Sequence, residues 1–141
     1  MFVEKWRRRE KIKGRKMKIY SGVDIIEINR FSEKLIKKGD SFLEFFLDEQ
    51  EIETAKQRTQ SLAALFAAKE AISKALGTGI WQKKIEWHDF CISHNDLGKP
   101  EVELKNEAKV RFEEMHGIDI DISISHEKKY AIAFCVILAE N

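Results

Sequence analysis

The stretch FAAKEAISKALG, residues 66–77, decides the fold of this 141-residue chain. Alanine, leucine, lysine and glutamate dominate it, proline is absent, and Gly77 stands where a glycine commonly ends a helix. Further apolar residues at helical spacing precede it, and Thr59 or Ser61 can cap its start. The sequence therefore predicts one long, buried helix that continues through Leu76. Its charged residues are Lys69, Glu70 and Lys74.

Size and composition fit one compact globular domain. A chain of 141 residues with 43% hydrophobic residues can bury one core, but it is too short for two ordinary domains. It contains no apolar run long enough for a membrane span, and no apolar segment follows the basic N-terminus as in a secretion signal. Cys91 and Cys135 lack C-x-x-C spacing. We therefore expect a cytoplasmic protein with reduced thiols and no membrane association.

Basic charge is concentrated at the N-terminus. Residues 1–16 carry eight Lys or Arg and two Glu, so residues 17–141 are net acidic although the whole chain has a net charge of +1. Such a block is usually disordered; the alternative is an arm that binds nucleic acid or another anionic surface. Because aromatic residues are not interleaved with the charges for base stacking, we interpret residues 1–16 as a disordered extension, or as translation from a start upstream of Met17. Residues 17–141 are then a single domain without a nucleic-acid partner.

The segments before the long helix combine one strand with short helices. β-branched residues predict a strand over residues 18–28, and Gly22 within it indicates close approach of another backbone or a ligand. Gly39, Asp40 and Ser41 interrupt the helical pattern that follows. The predicted helical segments lie at residues 29–38, 42–47 and 48–58.

The second half of the chain shows the clearest β signal. Residues 118–125 alternate isoleucine with aspartate or serine, which predicts a strand with one buried face, and residues 130–138 form the return strand of a hairpin. Helices in the first half and an antiparallel sheet in the second predict an α+β domain. The elements between the long helix and the hairpin are a strand at residues 85–93, a turn at residues 95–100, a strand at residues 101–104 and a helix at residues 106–116.

Two carboxylates are the candidate metal ligands. Glu70 and Lys74 are four residues apart and share a helical face, so the simplest interpretation is an exposed ion pair. Asp24 stands in an apolar strand, where a carboxylate needs a partner or a cation unless the strand ends in a turn there. Together Asp24 and Glu70 offer two oxygen ligands of the kind that Mg²⁺ takes alongside phosphate oxygens, with Lys69 and Lys74 as cations for the phosphate. The residues leave both interpretations open.

Other chemistry-bearing residues add little on their own. His126 ends the alternating strand, and it is either a packed histidine of the hairpin turn or part of a site. The remaining histidines lack zinc-ligand spacing, and neither a phosphate-binding loop nor a complete dinucleotide fingerprint occurs. The residues alone therefore indicate a small α+β domain with a candidate Mg²⁺–phosphate site.

Three segments, in this order, resemble a known family. They are GVDIIEINRF at residues 22–31, FAAKEAISKALGTGI at residues 66–80, and SISH at residues 123–126 followed by YAIA at residues 130–133. The turn NDLGKP at residues 95–100 also fits. From Met17 to about Leu138 the chain resembles the holo-[acyl-carrier-protein] synthases, the short 4′-phosphopantetheinyl transferases.

The resemblance implies an enzyme that moves the phosphopantetheine arm of coenzyme A onto a serine of apo-acyl carrier protein and releases adenosine 3′,5′-bisphosphate. It implies Mg²⁺ held by Asp24 and Glu70, with Glu70 as catalytic base and Lys74 as a catalytic residue that holds phosphates. Arg30 is implied to face the acidic helix of the carrier protein. The implied fold is an antiparallel sheet wrapped around a long central helix, assembled as a homotrimer with active sites between subunits. The residues implied to bind coenzyme A are Lys74, Gly77, Thr78, Gly79, Lys99, Pro100, Ser125 and His126.

Two positions depart from the family pattern. Leu65 stands where members often have an arginine that contributes to binding the 3′-phosphate of the coenzyme. The stretch from Ser41 to Leu47 is rich in phenylalanine and has none of the arginines common in the carrier-binding region. The departures bear on coenzyme affinity and carrier docking, where Lys34, Lys37 and Lys38 are the candidate substitutes.

Overall fold

The computed structural model describes residues 16–140, so the interpretation of residues 1–16 as an extension lies outside the described residues except at Lys16. The first half is one strand followed by four helices, and the second half contains four strands and one helix. In order they are β1 (Met17–Glu27), α1 (Ile28–Lys38), α2 (Asp40–Phe46), α3 (Glu49–Ala55), α4 (Thr59–Ala75), β2 (Phe90–His94), β3 (Pro100–Leu104), α5 (Asn106–Glu114), β4 (Gly117–His126) and β5 (Tyr130–Glu140).

Two antiparallel sheets confirm the predicted α+β class. The larger sheet has the strand order β1-β5-β4, and the smaller sheet pairs β2 with β3. β1 pairs with β5 along its whole length, from Met17 opposite Glu140 to Glu27 opposite Tyr130. The N-terminal strand of the described chain is thus held by the C-terminal strand.

Helix α4 packs on the inner face of the larger sheet and forms the centre of the core. Its alanines are buried because only a side chain of that size lets a helix backbone approach a sheet this closely. An aromatic cluster packs beside it, with ring centroids between 4.8 and 6.3 Å apart. The cluster consists of Phe31, Phe42, Phe46, Phe66 and Trp87.

Gly22 confirms the close approach that the sequence predicts. A Cβ atom at this position would lie 2.0 Å from the Ala71 carbonyl oxygen and 2.6 Å from the Ala75 amide nitrogen. Both contacts are with the backbone of α4, which cannot move aside as a flexible side chain could. The β1 backbone therefore lies directly against α4, two residues before Asp24.

Gly22→Ala should lower the free energy of unfolding by roughly 1–3 kcal/mol, because the added methyl group forces β1 away from α4. The same displacement also shifts Asp24, two residues along the strand. Chemical denaturation measures the first effect. Ser21→Ala, on the exposed side of the same strand, is the matched control and should change stability by less than about 0.5 kcal/mol. A stable Gly22→Ala variant would contradict the close contact.

The strand predicted over residues 85–93 is only half correct. β2 begins at Phe90, and a 3₁₀ turn occupies Trp87–Asp89. The Asp89 carboxylate accepts a hydrogen bond from the Glu86 amide 3.1 Å away, so this side chain caps the turn and competes with an extended backbone. The helix in the predicted segment 48–58 ends at Ala55. The next two residues, Lys56 and Gln57, have positive φ angles, through which an α-helix cannot continue.

Lys69 does not face a phosphate, contrary to the sequence interpretation. Its side chain is 0% exposed, and its ammonium donates to the Glu51 carboxylate at 2.9 Å and to the Phe46 and Trp87 carbonyls at 2.7 and 3.2 Å. Glu51 is 2% exposed and also accepts hydrogen bonds from the backbone of Asp48 and Ile92. This buried ion pair and its hydrogen bonds join α4 to three other segments.

The outer face of the larger sheet is apolar and exposed on two of its strands. Val23 lies opposite Phe134, and Ile25 lies opposite Ile132, and all four side chains are exposed. Ile19 extends the same row. An apolar strip of this kind on a single chain is typical of a surface that another protein covers.

Candidate functional site

Asp24 and Glu70 line one cavity of about 400 Å³ at the β1 edge of the sheet. Asp24 lies on the inner face of β1 because side chains alternate along a strand, and the neighbouring Val23 and Ile25 lie on the outer face. Glu70 comes from the middle of α4. Arg30 of α1 lines the same cavity. The fold therefore brings the two predicted carboxylates to one place.

Lys74 pairs with Asp24 and not with Glu70. Its ammonium donates to the Asp24 carboxylate at 3.0 Å and to the Val23 carbonyl at 2.9 Å. The side chains of Lys74 and Asp24 are 49% and 18% exposed, so the lysine head remains accessible to solvent. The simple interpretation of an ion pair between residues 70 and 74 is therefore wrong, and Lys74 reaches across to the strand.

The environment of Glu70 disfavours its charged form. Partial burial, and secondly the nearby charge of Asp24, raise the pKa of the Glu70 carboxyl above its ordinary value of 4.5, although the Lys74 ammonium acts in the opposite direction. A cation bound between the two carboxylates would remove this repulsion. Glu70 is therefore suited to hold a metal ion or to accept a proton.

Glu70→Gln should stabilise the protein in buffer without divalent cations at pH 7.5, and the gain should vanish below about pH 4.5. Because the folded protein holds the Glu70 proton more tightly than the unfolded chain does, stability falls as pH rises through the raised pKa. Glutamine has no such titration. Thermal denaturation at both pH values measures the difference.

Addition of Mg²⁺ provides the counterpart to this experiment. A cation that binds only the folded protein raises its stability, so Mg²⁺ should increase the melting temperature of the parent protein and leave that of Glu70→Gln nearly unchanged. Glu113→Gln, at an exposed position on α5, is the matched control and should respond like the parent. An equal response of all three proteins would exclude Glu70 as a ligand.

The donor set of this cavity fits Mg²⁺. The ion commonly takes one or two protein carboxylates and completes its octahedral shell with phosphate oxygens and water. Asp24 and Glu70 supply two hard oxygen ligands, and within residues 16–140 no group of three or more ligating side chains offers an all-protein metal cage. The residues thus suit a metal shared with a phosphate substrate better than a closed structural site.

The turn after α4 presents no free backbone donors among its three residues. The amides of Thr78 and Gly79 both donate to the Ser73 carbonyl, at 3.3 and 3.1 Å, and the Gly77 amide donates to Lys74. Gly79 has a φ of 65° and open space where a Cβ atom would lie. A ligand can therefore approach this turn closely, but its amides already have partners within the chain.

A second cavity, of about 360 Å³, contains other residues of the predicted coenzyme site. Pro100 and His126 line it, and so does Leu65 from α4. Leu65 and Glu70 lie about 140° apart around the helix, so the two cavities are on different sides of α4. In one chain, the predicted metal ligands and this part of the predicted coenzyme site therefore do not share a cavity.

Lys99 and Ser125 lie at the surface but do not line this second cavity. The Lys99 ammonium pairs with the Asp121 carboxylate, and this hydrogen bond lowers the pKa of Asp121. Ser125 lies opposite Ile132 on the outer face of the sheet, whereas His126 is on the inner face. The single-residue step along β4 separates two neighbours that the sequence motif suggested would act together.

Arg58 is a candidate that the sequence interpretation missed. It precedes α4 and lines the second cavity together with His94 and His126, near Leu65. The cavity thus has cationic or protonatable side chains although residue 65 is apolar. Arg58 stands immediately before the long helix, and helix N-termini favour anions. A basic residue at this position is therefore a sequence signal for an anion-binding site.

The family model and the most similar relatives considered indicate the same family. Residues 21–135 match the model of the 4′-phosphopantetheinyl transferase superfamily. A holo-[acyl-carrier-protein] synthase of Vibrio cholerae is 43% identical over 119 residues, which are 82% of this chain and 94% of the relative. One of Caldanaerobacter subterraneus is 41% identical over 123 residues, covering 85% of this chain and 94% of the relative.

Solved structures show the same fold. The Helicobacter pylori holo-[acyl-carrier-protein] synthase in complex with coenzyme A superimposes with a TM-score of 0.75 at 34% identity, covering 83% of this chain and 98% of that one. A Chronobacterium ammoniagenes synthase–coenzyme A complex gives 0.76 at 29% identity, covering 88% and 99%. None of the helices within residues 16–140 combines the length and apolar content needed to cross a bilayer.

Proposed function

The chain belongs to the 4′-phosphopantetheinyl transferase superfamily as a holo-[acyl-carrier-protein] synthase, and on that premise we propose a Mg²⁺-dependent reaction at the cavity of Asp24 and Glu70. The protein transfers the 4′-phosphopantetheine arm of coenzyme A to a serine of apo-acyl carrier protein. The observation that supports the site is the convergence of two carboxylates from β1 and α4 on one cavity.

In this mechanism the serine oxygen forms a bond to the phosphorus that carries pantetheine. The bond from that phosphorus to the adenosine 5′-phosphate breaks, and adenosine 3′,5′-bisphosphate leaves with the electron pair. Glu70, whose pKa is raised by burial, accepts the serine proton directly or through a water molecule. The Lys74 ammonium, which is accessible to solvent, releases the Asp24 carboxylate and pairs with a phosphate oxygen of the coenzyme. When bound by Asp24 and Glu70, Mg²⁺ supplies Lewis-acid polarisation and charge neutralisation.

The coenzyme is proposed to bind where two subunits meet. Pro100 and His126 line the second cavity, and neither lines the cavity of Glu70 in the same chain. A neighbouring subunit that placed its second cavity beside Glu70 would unite the two sets. Lys99, the turn at residues 77–79 and Ser125 are then proposed to lie along the coenzyme path, with Ser125 reached from the outer face of the sheet.

The proposed homotrimer accounts for the apolar strip on β1 and β5. Phe134→Glu would place a charge in the middle of this strip, so we expect the native mass to fall from that of a trimer to that of a monomer. Size-exclusion chromatography with light scattering measures the mass, and transfer activity should fall with it. Val110→Glu, at an exposed apolar position on α5, should leave the mass unchanged. A monomeric parent protein with full activity would contradict the trimer.

We also propose how the carrier protein binds, which residues form the domain and where the protein is located. Arg30 lines the cavity and, with the lysines of α1, offers positive charge to an acidic carrier protein, which speeds encounter. Residues 17–141 are proposed as the transferase domain. The free thiols of Cys91 and Cys135 accord with a reducing, cytoplasmic location.

Mass spectrometry tests the reaction directly. The full chain is incubated with coenzyme A, Mg²⁺ and apo-acyl carrier protein, and the carrier should gain the mass of one phosphopantetheine arm. An established synthase under the same conditions is the positive control, and omission of Mg²⁺ or addition of a chelator is the negative one. If the control enzyme modifies the carrier and this chain does not, the transferase proposal fails and a non-catalytic carrier-binding module takes its place.

A further inference from the structure

Arg111 of α5 contacts the C-terminal end of α4, although it lines neither of the two cavities. Its Nε donates to the Leu76 carbonyl at 2.9 Å, and Leu76 is the C-cap residue of α4. The last carbonyls of a helix have no partners within that helix. Arg111 therefore supplies, from a distant part of the chain, a hydrogen bond that the end of α4 lacks.

The other nitrogens of the Arg111 guanidinium extend this contact to the loop after α4. Nη1 donates to the Glu114 carboxylate at 3.4 Å, and the same carboxylate accepts from the Lys83 ammonium at 3.3 Å. Nη2 lies close to Gly77, where it would be 3.6 Å from an added Cβ atom. Since two cations share one carboxylate, this group keeps an excess of positive charge beside the turn at residues 77–79.

The end of α4 without Arg111 would be unfavourable for an anion. A helix C-terminus is the negative end of the helix dipole and repels negative charge. The turn at residues 77–79 follows directly, and it is proposed to lie along the path of the coenzyme. Its three amides all donate within the chain, so they cannot compensate by binding a phosphate. The compensating positive charge must therefore come from side chains.

Lys74 and Arg111 are the two cations that contact this end of α4 from different sides. Lys74 extends towards β1, where it donates to the Asp24 carboxylate and the Val23 carbonyl. Arg111 approaches from α5 and binds the Leu76 carbonyl. The side chain of Arg111 is 26% exposed, compared with 49% for Lys74, so water and salt screen its charge less.

We propose that Arg111 is a positioning residue for coenzyme A, because its guanidinium neutralises the C-terminal end of α4 and fixes the turn at residues 77–79 for the approach of the coenzyme phosphates. The inference rests on the proposed function and adds to it a residue from a helix outside both cavities. Arg111 acts through the Leu76 carbonyl and the backbone at Gly77. The bound coenzyme and the transition state benefit equally, so the KM should respond and kcat should not.

Arg111→Met tests this role, since methionine keeps much of the aliphatic side chain and removes the charge. We expect both the Kd and the KM for coenzyme A to rise about tenfold, while kcat changes less than about twofold. Arg111→Lys keeps the charge and should recover most of the affinity. Lys109→Met, at an exposed position on the same helix, removes the same charge and should match the parent. Parental coenzyme affinity in Arg111→Met would overturn the inference.

The dependence on salt distinguishes an electrostatic role from a purely structural one. The Debye length falls from about 30 Å at 0.01 M to about 3 Å at 1 M ionic strength. The ratio of the coenzyme Kd of Arg111→Met to that of the parent should therefore shrink over this range. A ratio that stays constant, together with an Arg111→Lys variant as weak as Arg111→Met, would reduce Arg111 to a structural contact and overturn its positioning role.

Calorimetric titration of coenzyme A into the full chain, without carrier protein, separates this inference from the proposed reaction. If the parent transfers the arm but Arg111→Met binds coenzyme A as tightly as the parent, the inference is wrong and the reaction stands. If the parent binds coenzyme A in an Arg111-dependent manner but does not transfer the arm, the reaction is wrong and the inference stands. A parent that neither binds coenzyme A nor transfers the arm rejects both.

Discussion

Replacing Glu70 by glutamine is expected to slow phosphopantetheine transfer by roughly a hundredfold to ten-thousandfold, the range for loss of a positioned acid or base. The substitution keeps the size of the side chain, which is half-buried in the middle of α4, so the fold should survive. The value of kcat should fall because the proton acceptor is lost, and the KM for coenzyme A should rise because Glu70 is also proposed to hold the metal that the coenzyme phosphates share. Transfer measured by mass spectrometry at saturating substrate gives the effect.

Asp24→Asn is the companion variant and should remove several kcal/mol of transition-state stabilisation, since a bound metal ion contributes about that much as a Lewis acid. It also releases Lys74 from its 3.0 Å ion pair. Excess Mg²⁺ should partly restore the rate of Asp24→Asn if the loss lies in metal affinity. Glu113→Gln, exposed on α5, is the matched control. Near-normal turnover of either Glu70→Gln or Asp24→Asn would falsify that residue's assignment.

Lys69→Met is expected to have the largest effect on stability, lowering the free energy of unfolding by about 3–5 kcal/mol. The change leaves the Glu51 carboxylate, 2% exposed, without its cation, and the Phe46 and Trp87 carbonyls lose a donor. An unpaired buried charge costs far more than the pair contributes, because the charge keeps its desolvation penalty. Denaturant titration of the intact protein measures the loss.

The double variant Lys69→Met with Glu51→Gln distinguishes loss of the charge from loss of packing. A glutamine carbonyl can still accept a backbone hydrogen bond such as that from Ile92, which now reaches Glu51 at 3.0 Å. We therefore expect the double variant to recover part of the stability lost in Lys69→Met. If the double variant is no more stable than the single one, the buried charge is not the source of the loss.

Periodic elements could be predicted from the sequence, because their patterns repeat within a few residues. The long helix α4 and the hairpin of β4 and β5 follow from apolar spacing alone. The close contact at Gly22 could also be predicted, since a glycine inside a strand indicates the close approach of another backbone or a ligand. Each of these features depends on residues that are close together in the sequence and on contact with a single neighbouring element.

Long-range partners could not be predicted in the same way. Lys69 reads as a surface or phosphate-binding charge until the fold brings Glu51 to it, because a buried lysine is recognised only by its partner. The separation of Ser125 from His126 depends on which face of the sheet α4 covers. Trp81 has a left-handed backbone, which the sequence does not indicate at a bulky residue.

The full-length pairing of β1 with β5 affects how the protein is made. Asp24 lies opposite Ala133, so the strand that carries a proposed metal ligand gains its partner only after all the elements between β1 and β5 have been synthesised. Contacts between such distant parts of a sequence slow folding, because the intervening chain must be ordered first. Until then the backbone N–H and C=O groups of β1 that pair with β5 are open to other nascent chains. Catalytic competence should therefore appear only after β5 has been made and has paired with β1.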